Sequence, residues 1–515
     1  MTPEEKGLMQ LKQHIAPRQK LAFLSAFLIG LMIHMPVMLS DIPNHDGLSS
    51  MYFDQNMITS GRWFLSVACG FSSYFTLPWI IGLLGLFFLG LTAAVLVELL
   101  DMKSPVMVVL SGGLLVAFPA LSSTFAYVFT LDGYMLALFL AVLSVYLTKQ
   151  YKMGFLAGAV ALAFSMGAYQ AYLSFAVLLC LYMVLLICLT EKSVKEKLGE
   201  MLRYLLMGGI GMALYYGILQ ALLLIQGKEL DTYQGIHSMG SLEKLVQSVG
   251  RMYQDFAGFT LKGGVLYNSV YSFGALVVLG VAVLIALVLL MKEKKLWKNP
   301  WFFVIIVGAA VMLPVATNLI VVVSPNVNYH LLMRYQWVVY LLVALSVIDR
   351  FADPSGGRAA SFGRVSACVA ACVLLFHYGV SDNIAYSNLE KKYEKTYSYC
   401  LRLLDRIEQT PGYYPGIPIA MIGVVGDEQY PVTDISGKVT APMIGMNGDY
   451  LVYTGANYQA FMKYYLGATL NILGPEIMEE GYYRQEYVEM DSFPGADSIR
   501  ILDGVMYIKT ENVNR

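Results

Sequence analysis

The chain has 515 residues, with 35 Lys and Arg against 36 Asp and Glu and a formal net charge of −1. Hydrophobic residues make up 57% and charged residues only 14%, where soluble chains average about 45–50% and roughly 25%, and the mean hydropathy is +0.59. This balance excludes a soluble enzyme, a disordered scaffold and a nucleic-acid binder, which needs excess positive charge, and predicts a polytopic α-helical membrane protein.

Crossing the hydrocarbon takes about 20 apolar residues. By that rule the spacing predicts about eleven transmembrane helices: 21–40, 77–99, 105–123, 131–148, 154–169, 171–190, 203–226, 268–291, 301–323, 332–349 and 364–380. The connector at Ala168-Tyr169-Gln170 is short enough for a tight hairpin or a re-entrant turn. The first run is not followed by a small-residue cleavage site, so no cleavable signal peptide is expected. His34, inside that run among apolar residues, reads as a buried, satisfied imidazole. Cys180 and Cys188 share one run with no ligand partners and read as packing residues.

Basic residues set the expected orientation. With residues 1–20 cytoplasmic, the inside segments hold Lys6, Lys12, Arg18, Lys20, Lys103, Lys149, Lys152, Lys192, Lys195, Lys197, Arg203, Lys292, Lys294, Lys295, Lys298, Arg350, Arg358 and Arg364. The outside segments before residue 380 hold only Arg62, Lys228, Lys244, Arg251, Lys262 and Arg334. An odd number of spans places residues 381–515 outside as a C-terminal extracytoplasmic domain, after a core at 21–380 with outer loops 41–76 and 227–267. A multi-pass membrane protein working at the outer leaflet is expected.

The tail predicts a helix at 386–409, stopped by Pro411-Gly412. Strand-like runs follow at 417–425, 432–439, 487–490, 499–502 and 505–508, with turn signals Asn447-Gly448, Pro494-Gly495 and Asp503-Gly504. They predict a small α/β domain. Its many Tyr residues suit sugar stacking and the membrane interface alike.

The first outer loop collects Asp41, His45, Asp46 and Asp54 directly after span one. Residues 51–65 carry apolar positions that fit an amphipathic interfacial helix. A carboxylate there can take the proton of an acceptor hydroxyl attacking an activated sugar. Asp41 and Asp46 equally suit capping of the helix that follows. Asp41, His45, Asp46 and Asp54 can also ligate a divalent cation, although their spacing matches no known ligand motif. Arg334, at the edge of a span, is costly unless paired or functional, and its guanidinium suits phosphate bidentately; snorkelling to the headgroups is its simpler role. His330 lies four residues earlier, on the same face if that stretch is helical. Arg62 beside Trp63 reads as a second cation or as an interfacial anchor pair. Asp132, opening a span, reads as a helix cap or a dipole partner. Tyr169 and Gln170 can hydrogen-bond a sugar or close their turn.

Several of these motifs together resemble the bacterial glucosyl transferase II family, integral membrane glycosyltransferases that decorate O-antigen. They are His45-Asp46-Gly47 after span one, Ser60-Gly61-Arg62-Trp63, Leu131-Asp132-Gly133-Tyr134, Ala168-Tyr169-Gln170-Ala171 and Met333-Arg334-Tyr335-Gln336. The resemblance covers most of residues 20–350; the tail is not diagnostic. The family often shows paired acidic residues in this loop, whereas here His45-Asp46 stands with Asp41 five residues earlier. The resemblance implies a GT-C-like fold and a polyprenyl-phosphate sugar donor. The acceptor would be a surface glycan or a teichoic-acid-like polymer. Asp46 is then the first choice of general base and Asp41 the second. Arg334, His330 and Arg62 would meet the donor phosphate, and His45, Asp54, Asp132, Tyr169 and Gln170 the substrates. The rival class is a polyprenyl-linked lipid flippase or transporter, disfavoured by the few ionisable residues within spans and the lack of an internal repeat.

Overall fold

A computed structural model of the chain describes residues 15–51, 56–70, 72, 74–232, 235–236, 242–260, 266–298, 300–352, 357–422, 435–448, 450–452, 454–474 and 481–510. The chain divides into two compact units, one of Met1–Leu39 and Asp54–Asn383, the other of Ser40–Phe53 and Ile384–Arg515.

The first unit is helical. Among the described residues, eight helices are long and apolar enough to cross a membrane: Pro17–Leu39, Pro78–Leu99, Val128–Gln150, Gln170–Cys188, Val194–Gln226, Val270–Glu293, Leu331–Phe351 and Arg358–Gln409. The bent pair Pro105–Ala117 and Pro119–Phe125 raises the number to nine if it is one span. The chain is therefore a polytopic helical membrane protein. Two further expected spans are shorter apolar helices, Gly154–Ala168 and Trp301–Thr317. The 48° bend has a local cause. Pro119 pushes Phe118 out of the helical region, to φ −68° and ψ 126°. Proline opens the helices at Pro78, Pro105 and Pro119, where its missing N–H costs nothing. Ser193 and Glu196 form a capping box, and Gly227 ends the same helix at φ +61°.

Small residues let the helices approach closely. A Cβ on Gly158 would stand 2.5 Å from the Ser144 carbonyl oxygen. His34 is fully buried, its Nε2 2.8 Å from the Val116 carbonyl and its ring stacked on Phe125 at 4.0 Å. At the basic helix ends, Arg18 pairs with Glu98 at 2.8 Å, Arg350 with Asp101 at 3.1 Å and Arg364 with Asp349 at 2.8 Å.

The second unit takes up the 52-residue helix Arg358–Gln409 from Ile384 onward. It adds a four-stranded sheet of order β2-β1-β4-β3, with β1 Pro418–Ile422, β2 Asn471–Ile472, β3 Ile499–Leu502 and β4 Val505–Lys509. β1 runs parallel to β2 and β4, while β3 and β4 form an antiparallel hairpin. Its turn is Asp503-Gly504, both at positive φ (+50° and +79°), as that dipeptide favours. Ala420, Ile422, Tyr487, Met490 and Tyr507 form the core.

Two expected strands are helical instead. Residues 435–439 of the run at 432–439 lie in the helix Ile435–Thr440, where the Thr440 hydroxyl donates to the Ser436 carbonyl four residues back; residues 432–434 lie outside the described residues. The run at 487–490 overlaps the helical turn Gln485–Val488. Tyr487 and Met490 both reach the core from three residues apart, a helical spacing that alternation along a strand cannot provide.

Candidate functional site

In the first unit, the segment after residue 55 folds into the bundle. Met57 and Arg62 pair as an isolated bridge around the short 3-10 turn Ile58–Ser60, and Gly61 turns the chain at φ +78°. The described part of 51–65 is thus not an amphipathic surface helix. Ile58, Trp63 and Leu65 are buried, so these apolar positions point into the core rather than along an interface. Gln170 donates to the Ser60 carbonyl at 2.9 Å and to the Tyr215 hydroxyl at 3.2 Å, and Tyr215 donates to the Gly61 carbonyl at 3.1 Å. The Gln170 amide is therefore a brace for this turn.

The brace presents Arg62 to aromatic rings. Its Nη1 donates to the Tyr134 hydroxyl at 3.0 Å, and its guanidinium carbon lies 5.3 Å from the Tyr169 ring centroid. Tyr134 and Tyr169 stack at 4.0 Å, Tyr169 meets Tyr172 edge-on at 5.1 Å, and Tyr172 meets Tyr335 at 6.3 Å. The hydroxyls of Tyr169 and Tyr172 are buried and make no hydrogen bond among the described residues. Trp63 is not an interfacial anchor. It packs inside against Gly167 and the Phe164 ring, 5.3 Å away.

Asp132 sits in the second turn of Val128–Gln150, whose N-cap is Tyr127, so it caps no helix. It is 1% exposed. One carboxylate oxygen accepts from the Gly133 N–H at 2.9 Å and the other from the Ser72 hydroxyl.

Tyr335 leads to the second cation. Residues Leu331–Trp337 form a 3-10 segment interrupted at Arg334 (φ −107°, ψ 19°). His330 is its extended N-cap, so His330 and Arg334 do not share one α-helical face, because a 3-10 turn repeats every three residues. Arg334 is 3% exposed and does not snorkel. Its Nη2 donates to Asp255 at 3.2 Å, its Nε donates to the Tyr329 carbonyl at 3.3 Å, and its guanidinium stacks 3.6 Å from the Tyr329 ring centroid. Nη1 is buried and makes no hydrogen bond among the described residues. The same holds for Asp255 Oδ2 and Gln336 Oε1. Asp255 belongs to the helix Leu242–Thr260, which Arg251 ties to the Pro325 carbonyl at 2.6 Å and Asn318 ties through the Met252 carbonyl at 2.8 Å.

Asp382 is a further fully buried carboxyl of the first unit, lying against the Ser122 hydroxyl. No cation pairs with it among the described residues, and Ser122 donates to the Pro119 carbonyl.

The second unit holds Asp41, His45 and Asp46. The five-residue helix His45–Ser49 is capped by Asn44, whose side chain accepts from the Gly47 N–H at 2.7 Å. Neither Asp41 nor Asp46 is the cap. Asp46 lies in the first turn, where its charge meets the helix dipole favourably. Its side chain is 54% exposed and stands 3.6 Å from His45 Nε2. Partial desolvation holds the Asp41 carboxyl above the usual aspartate range, and Asp41 acts electrostatically on Tyr393. The His45 carbonyl accepts from Asn457 Nδ2 at 3.0 Å. Asp54 lies outside the described residues, and among those described no three His, Cys, Asp or Glu side chains gather to hold a metal ion.

Sequence reasoning passed over Asp255, Tyr329 and Asn457. Asp255 carried a weak signal, four residues after Arg251 in an amphipathic stretch. Asn457 carried none.

No curated protein matches the chain. The family model described as Glucosyl transferase GtrII matches residues 35–348. That match spans more than half of the sequence, and the chain belongs to the glucosyl transferase GtrII family.

Proposed function

We propose that this chain is a GT-C-type membrane glycosyltransferase of a bacterial plasma membrane. It moves a hexose, glucose in our reading, from a polyprenyl-phosphate donor to a surface glycan at the outer face. Family membership supports sugar transfer. The observation that carries the choice of donor is Arg334, a buried guanidinium with, among the described residues, one nitrogen unengaged and one carboxylate paired with it. A lipid phosphate brought to a low-dielectric site needs such a partner, and a planar guanidinium binds it with paired hydrogen bonds. Arg62 is the second candidate cation and His330 a lesser one.

In the reaction a carboxylate takes the proton of the acceptor hydroxyl, whose oxygen bonds to the anomeric carbon. The bond from that carbon to the phosphate oxygen breaks, and polyprenyl phosphate leaves with the electron pair. Asp46 is our first choice of base and Asp41 our second. One carboxylate is enough for an inverting transfer, because the leaving group is already good. The stacked Tyr134 and Tyr169 rings and the unengaged Tyr169 and Tyr172 hydroxyls suit a sugar face and its hydroxyls.

The test is donor choice by purified protein in lipid nanodiscs, with a crude envelope extract as acceptor. Turnover of short-chain polyprenyl-phosphate glucose, and none of a nucleotide-linked glucose, is expected. Turnover of the nucleotide sugar alone overturns the donor assignment. Turnover of neither overturns it too and favours the flippase reading.

A further inference from the structure

Asp41 and Asp46 fold with residues of the C-terminal part, which itself lies beyond the region that matches the family. A helix of five residues has too few hydrogen bonds to persist alone. Its order must come from what grips it. One grip is the segment 443–448 together with Leu451, strapped to the long helix. Asn388 donates to the carbonyls of Met446 at 2.7 Å and Gly448 at 3.2 Å, Lys392 donates to that of Asn447, and the Leu451 N–H donates to Thr396 at 2.8 Å. Within this strap Gly445, at φ +85°, lies so close to Asn44 that a Cβ there would stand 2.9 Å from Asn44 Nδ2.

The other grip is Asn457, which uses both ends of its amide. Oδ1 accepts from the Thr454 N–H at 3.3 Å and from its hydroxyl at 3.2 Å, closing the capping box of Gly455–Tyr465. Nδ2 donates to the His45 carbonyl. That carbonyl shares a rigid peptide plane with the Asp46 nitrogen. Holding it fixes the plane from which the Asp46 side chain departs.

We propose that Asn457 is a positioning residue for the first-loop acid motif, so that the C-terminal unit holds the transferase's base in place. The inference rests on the assignment of Asp46 or Asp41 as that base. The amide makes a clean test possible. Asn457→Asp keeps the acceptor that caps its own helix, removes the donor to His45 and sets a carboxylate against a carbonyl.

Full-length Asn457→Asp in nanodiscs is expected to lose about 10- to 100-fold in kcat, the scale of a small misplacement of a catalytic group. The KM for polyprenyl-phosphate glucose and the membrane abundance should be unchanged. Hydrogen exchange should speed up at 44–50 but not at 455–465. Wild-type kcat in Asn457→Asp overturns the proposal. So does a loss of abundance with faster exchange throughout the tail, which would make Asn457 a folding residue only. Wild-type protein supplies an independent check: amides at 44–50 that exchange as in a free peptide also overturn it. Full activity of both Asp46→Asn and Asp41→Asn sinks the base assignment instead. Loss in either of those, beside an unaffected Asn457→Asp, sinks this inference alone.

Discussion

Arg334 and Asp255 meet at 3.2 Å, joining the 3-10 segment Leu331–Trp337 to the helix Leu242–Thr260 across 79 positions of sequence. The carboxylate engages one guanidinium nitrogen, and buried Nη1 makes no hydrogen bond among the described residues. In the proposed donor site, Nη1 is the nitrogen that would meet the phosphate without first breaking the pair.

Arg334→Lys is therefore expected to be far from conservative. An ammonium cannot make paired hydrogen bonds or stack flat on Tyr329. Truncating one partner of a buried charge pair costs about 2 kcal/mol or more, roughly 30-fold in kcat/KM for the lipid donor. Steady-state kinetics against donor concentration check this. An unchanged kcat/KM in Arg334→Lys removes Arg334 from donor binding.

The turn that presents Arg62 depends on Gly61. At φ +78°, a Cβ would stand 2.6 Å from both Gln170 Nε2 and the Tyr215 hydroxyl. Gly61→Ala should cost about 1–3 kcal/mol of stability and lower activity by moving Arg62 off Tyr134. Thermal unfolding in detergent, read beside turnover, tests both parts. A variant with wild-type midpoint and turnover refutes the brace.

Asp41 gives a pH signature. Partial desolvation makes its carboxyl a weaker acid in the folded protein. A raised carboxyl pKa favours the folded state at acid pH, and that contribution is lost as pH climbs past the ordinary aspartate value of about 3.9. Asp41→Asn should then raise the thermal midpoint at pH 7 and leave it unchanged below about pH 4. Equal shifts at both values contradict this.

Asp382 is buried with no cation paired to it among the described residues, beside a hydroxyl engaged elsewhere. Burying a carboxyl so poorly satisfied costs about 1–3 kcal/mol. Asp382→Asn should raise the thermal midpoint with turnover retained. A lowered midpoint shows that the carboxyl is better satisfied than its surroundings indicate.

The apolar runs were legible because 20 apolar residues in a row have few other uses. The breaks at Phe118 and between Thr317 and Ile320 interrupt runs that composition alone reads as continuous. Asp503-Gly504 announced its hairpin through local backbone preference. Residues 485–490 gave no such signal, since a short apolar run fits a strand or a helical turn until its partner is known. Arg334 stood out as a charge at the edge of an apolar run. Its partner Asp255 did not, because nothing local ties them. Asn457 lies 412 positions from His45, and their bond exists only in the folded unit.

In the proposed reaction a lipid-phosphate sugar is transferred with a first-loop aspartate as base. Release of polyprenyl phosphate from short-chain polyprenyl-phosphate glucose tests it most directly, comparing wild type, Asp46→Asn and Asp41→Asn in nanodiscs with an envelope extract as acceptor. Release by wild type that is lost in Asp46→Asn, at equal protein levels, is the predicted result. Equal release by all three proteins would contradict it.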